Sequence, residues 1–112
     1  MADLTLQEFD LAGLTPSFSA ADVAGDSFVN NGKTLLYVKN GDASSHDVTL
    51  NIQKSITIGG ISISLTNPTV TVPASDEKII GPFSQDWFND ADGEVNVDYD
   101  AITSVTVAAL KL

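Results

Sequence analysis

Polar and apolar residues alternate with a period of two in short stretches along most of this chain, and turn residues separate the stretches. Thr34-Leu-Leu-Tyr-Val-Lys39 sets Leu36 and Val38 on one face and Leu35 and Tyr37 on the other. The segment from Asp47 to Gln53 alternates with Val48, Leu50 and Ile52 in register, and Glu94 to Tyr99 does so with Val95, Val97 and Tyr99. Thr69 to Val72 is a further strand, and Lys78 to Ile80 starts another after the turn Pro73 to Glu77. Ile56 to Ser64 reads as a hairpin about Gly59-Gly60, with Ile56 and Ile58 facing Ile61 and Ile63. The last nine residues, Ser104 to Leu112, are β-branched and then apolar to the end, as a strand buried in a sheet would be. Asn31-Gly32, Asn40-Gly41, Asn67-Pro68, Gly81-Pro82 and Asn89 to Gly93 are turn signals. About eight short strands at this spacing, and no helix beyond a single turn near Asp86 to Asn89, predict an all-β chain. The expected architecture is a single antiparallel β-sandwich or jelly-roll-like domain.

The first part of the chain breaks the pattern. Leu4, Leu6, Phe9, Leu11, Leu14 and Phe18 are spaced irregularly, and Gly13 and Pro16 interrupt any helix. Residues 1–26 are therefore expected to be an extended N-terminal arm, and residues 27–112 the β-sandwich domain. The six apolar side chains of the arm are candidate contacts with a partner or a second subunit. An alternative is that the arm covers a sheet face of its own subunit.

Phe83, Trp87 and Phe88 are three of the chain's eight aromatics, gathered within six positions. In a small domain such rings are expected to plug the open end of the core. The rival reading is an exposed aromatic patch, such as a carbohydrate-binding surface built on Trp87 and Phe88.

Charge narrows the possible partners. The chain has 112 residues, a net charge of −10, five lysines, no arginine and no cysteine. Without a basic stripe, binding to nucleic acid or to an anionic membrane is not expected. The missing cysteines remove disulfides, thiolate metal sites and a thiol nucleophile. The N-terminal residues lack the basic and apolar regions of a signal peptide, and no apolar run approaches the ~20 residues of a membrane span. The expectation is a soluble protein made in the cytoplasm.

Candidate chemistry is sparse. His46, the single histidine, lies among Ser44, Ser45 and Asp47, but neighbours in one loop do not form a triad, and a solvated loop histidine is expected. Asn89-Asp-Ala-Asp-Gly-Glu94 is similar to the start of a calcium loop. Counting from Asp90 puts Ala101 at the twelfth position, and counting from Asn89 brings the Gly one residue early. An acidic turn is the better reading. No phosphate-cradling loop occurs, because Gly59-Gly60 lacks the Lys-Ser/Thr and helix that should follow. No catalytic, metal or cofactor residues are expected, and the chain does not read as an enzyme.

Several segments in fixed order resemble small structural proteins of tailed bacteriophages. They are Thr15-Pro16, Gly25-Asp-Ser-Phe28, Asn31-Gly32 with the following Leu-x-Val-Lys-Asn strand, and Val72-Pro-Ala74. Gly81-Pro-Phe83, Phe88-Asn-Asp90, Gly93 and Val105-Thr-Val-Ala-Ala-Leu-Lys-Leu112 complete the set. The resemblance runs from about Thr15 to the end, and Ile56 to Ser64 departs from it as an insertion. It implies a head decoration, or cement, protein on the outside of the mature capsid, bridging capsomers in the virion. The implied partners are the major capsid protein and further copies of itself, as a dimer or trimer. The arm residues Leu4, Leu6, Phe9, Leu11, Leu14 and Phe18 would then be the capsid or subunit interface. A head–tail connector or tail component is the alternative from the same resemblance.

Overall fold

The computed structural model describes residues 2–112. The strands are, in chain order, β1 (Ala2–Asp3), β2 (Leu6–Glu8), β3 (Ser19–Ala20), β4 (Asp26–Val29), β5 (Thr34–Asn40) and β6 (His46–Leu50). They continue with β7 (Ile56–Ile58), β8 (Ile61–Ile63), β9 (Thr69–Val72) and β10 (Asp76–Ile80). The helical turn α1 (Gln85–Phe88) precedes β11 (Glu94–Tyr99) and β12 (Val105–Lys111).

One sheet has the order β1-β4-β11-β6-β9, and the other runs β10-β5-β12-β2, with β3 also on β12. The two form a sandwich, so the chain is all-β as its alternation predicts. Val48, Leu50, Val95, Val97 and Val72 from the first sheet meet Leu36, Val38, Ile80, Val105, Val107 and Ala109 from the second in one core. In β5 and β6 buried and half-buried residues alternate without exception, because each strand has one face on that core.

The differences from expectation have local causes. The sandwich is mixed, not purely antiparallel, since β1 runs parallel to β4 and β2 parallel to β12. The β6 strand ends at Leu50, where the ladder to β9 meets Pro68: the Leu50 N–H reaches the Pro68 carbonyl, but proline has no N–H to continue the pairing. The turn after Val72 is shorter than expected, and β10 begins at Asp76, with Ser75 at φ +56° making the corner. That turn does not close a hairpin. It carries the chain from β9 in one sheet to β10 in the other.

The arm is extended, and it is stitched into both sheets. β1 lies on β4, Leu4 packs against the core and donates its N–H to Ser27 O at 2.7 Å, and β2 crosses to the edge of β12. After a loop the chain returns as β3 on the same edge of β12. Residues 2–26 therefore add strands to the body of the domain.

Candidate interaction surface

Each cluster singled out in the sequence has a definite place. His46 is the clearest correction: it starts β6 and is buried, not solvated. Its Nε2 lies 2.8 Å from Asp42 Oδ2, and its Nδ1 3.3 Å from Asp100 Oδ1. The Asp42 carboxylate, and to a lesser extent Asp100, hold the imidazole pKa above its ordinary value against the opposing effect of burial. Asp42 is held below the usual carboxylate range by the imidazole and by the Ala43 N–H. Burial pushes Asp100 upward, but the N–H groups of Asp47 and Ala101 and the His46 ring outweigh it, and the net shift is downward. Ser44, Ser45 and Asp47 make no hydrogen bond to the ring, so the group is a clasp between the 42–45 loop and the end of β11. Polarity made His46 look like loop. Its partner Asp100 is 54 residues away and arrives only through the pairing of β6 with β11.

The Asn89 to Glu94 turn is built around Asp90. Its Oδ1 accepts the N–H groups of Asp92 and Glu94 at 2.8 and 3.0 Å, and its Oδ2 accepts Asn96 Nδ2 at 2.9 Å. These bonds hold its carboxyl below the ordinary range, the Asn96 amide first, and give the acidic turn a structural role.

The aromatic corner divides. Phe83 is buried between Phe28 and Phe88, with ring centres 5.5 and 5.7 Å away, and this pair plugs the end of the core as expected. The buried Asn30 ties the corner down by donating to Phe83 O at 3.1 Å and Asn89 Oδ1 at 2.7 Å. Trp87 stands outside that plug. The Lys54 ammonium lies 5.0 Å from its ring centre and pairs with Asp86, while Trp87 O accepts the Gln53 N–H. A cation thus occupies one face of the ring that a sugar would need.

Of the six arm residues, Leu4 and Leu6 pack against the domain's own core. Phe18 stacks edge-on against Tyr37 at 5.0 Å, under the Lys39 ammonium. Leu14 is half-buried, whereas Phe9 and Leu11 are exposed. They project from a loop closed at its base by Gln7, whose amide donates to Ser17 O and accepts from Ser17 N, both at 2.8 Å. The Phe9 N–H donates to Lys111 O, and the Gly13 N–H to Asp10 O.

A second apolar projection is the β7–β8 hairpin, predicted as a hairpin but not as an uncovered one. Ile58, Ile61 and Ile63 on it are exposed. The isoleucines face one another across the hairpin as the sequence predicts; their exposure depends on tertiary placement. The molecule thus offers two apolar outgrowths on a closed, acidic β body, an arrangement suited to surface recognition.

Comparison with protein-family models, with curated proteins and with solved structures finds no match to this chain.

Proposed function

We propose that this chain is a decoration protein of a tailed-phage head, binding the outside of the mature shell and reinforcing contacts between capsomers. The observation that carries the reading is the exposed arm loop, with Phe9 and Leu11 held out from a sandwich whose own core is complete without them. Because the Gln7–Ser17 bonds close the loop before any partner arrives, little chain entropy is lost on docking. A groove on the major capsid protein is the natural receptor for two apolar side chains on such a loop. Attachment of this kind needs no catalytic group. It needs a stable body, a complementary patch and many copies, and copies linked as oligomers convert modest single-site affinity into large total stabilisation. The resemblance to phage structural proteins supports the same reading. Its shared residues fall largely on structural positions of this fold, including the turns at Gly25 and Gly32 and the buried Phe83.

The test is co-sedimentation of the purified protein with heads that lack it, in both precursor and expanded form. Binding to expanded heads alone is expected, and Phe9→Ser/Leu11→Ser should weaken it at least tenfold without lowering the melting temperature. Equal binding by that variant would remove the arm loop from the interface, and no binding to either head would contradict the proposed role.

A further inference from the structure

The β7–β8 hairpin belongs to neither sheet and pairs only with itself. Its register opposes Ile56 to Ile63 and Ile58 to Ile61, so all four isoleucines share one face, while Thr57 and Ser62 occupy the other. On that face Ile58, Ile61 and Ile63 are 64%, 70% and 42% exposed. Gly59 and Gly60, at φ +57° and +82°, form a two-residue tip with both residues in the positive-φ region, which suits the twist of paired strands. The stem is fixed to the body. The Ile52 N–H donates to Asn67 Oδ1 at 3.0 Å, the Gln53 N–H donates to Trp87 O at 2.8 Å, and Lys54 pairs with Asp86. A lone two-stranded hairpin is marginal in water, and an uncovered apolar face on a fixed stem marks an interaction surface.

Charge selects the occupant. None of the chain's 15 acidic residues lies between 48 and 75, the segment that holds the hairpin and the edge strand β9. The one cation there, Lys54, is already paired with Asp86. A basic partner would be drawn to the acidic remainder of the surface and gain nothing here. A second copy, also carrying −10, is repelled elsewhere but can approach across the hairpin, whose residues Ile56 to Ile63 carry no charge. It also brings a matching face, since in a two-fold contact one patch meets itself. We propose that the isoleucine face of the β7–β8 hairpin is a self-association surface that packs on the same face of a second copy. Two sheet faces pack about 10 Å apart, which lets the opposed isoleucines interdigitate. A standard interface takes about 800 Å² from each partner, more than four isoleucines supply, so the association is concentration-dependent. This inference does not depend on the phage reading.

Sedimentation equilibrium of the full chain, over a range of concentrations and at low and high salt, reads the proposal. The mass should rise from one copy towards two. Added salt should tighten the association, because it screens repulsion between like-charged copies, with a Debye length of about 10 Å at 0.1 M and about 3 Å at 1 M. Ile58→Thr/Ile61→Thr/Ile63→Thr keeps β-branched residues on the strands and should associate at least tenfold more weakly, with an unchanged far-ultraviolet dichroism spectrum. Ile61→Thr alone, at the most exposed position, should weaken association in the same direction with the least disturbance to folding. Leu11→Ser, on the arm loop, should leave association unchanged. A wild-type chain that stays monomeric throughout would overturn the proposal. So would undiminished association in both hairpin variants, weakening by salt, or loss of association in Leu11→Ser.

Discussion

His46 shows how a single side chain can set a pH window for stability. Its folded pKa is raised, so its contribution is complete below the unfolded value of about 6.5 and is lost as pH rises through the folded value. Asp42 and Asp100 have lowered values, so their contributions hold above about 3.9 and are lost as pH falls through their folded values. The clasp is therefore strongest between about pH 4 and 6.5. The stability lost in His46→Gln should be largest in that window and shrink above it, as read by thermal unfolding at several pH values. Titration of the ring by NMR should give a midpoint above about 6.5, and a midpoint at or below it would contradict the clasp. The aromatic corner gives a second test at this scale. Phe83→Ala should cost about 3–5 kcal/mol in chemical denaturation, whereas Trp87→Ala, half-exposed outside the core, should cost about 1–2 kcal/mol. Equal losses would place Trp87 in the plug.

At the scale of elements, the sequence was informative where a strand was long and had one face buried. β5, β6 and β11 each run five residues or more, enough for alternation to declare the inward side. The arm strands run only two or three residues, shorter than the pattern that would reveal them, and two of their ladders are parallel edge pairings made to distant strands. That is why the arm read as extended and no more. Of the candidate site residues, the sequence singled out the apolar set of the arm but could not sort the exposed Phe9 and Leu11 from the core-packed Leu4 and Leu6, because the sorting depends on which strand each segment joins. Removing residues 2–8 should lower the melting temperature, because Leu4 and Leu6 leave the core and both sheets lose an edge. An unchanged melting temperature would contradict this stitching. Gly25 ends the arm at φ +93°, where an added Cβ would meet Val97 O and Asp98 Oδ1 at 2.6 Å. Gly25→Ala should cost about 3 kcal/mol, combining positive-φ strain with a clash against backbone.

For the whole molecule, an acidic sandwich with a sealed core carries two apolar outgrowths, the arm loop and the isoleucine hairpin, from different parts of the chain. One outgrowth to grip a shell and one to meet another copy would suffice to tie neighbouring capsomers together. The central claim is a place on the head in many copies, and the most direct test is the number of copies per purified particle relative to the major capsid protein. A ratio near one, or a simple fraction of one, is the predicted result and would indicate the symmetry axis occupied. A handful of copies would move the protein to the neck or tail, and complete absence from the particle would contradict the account.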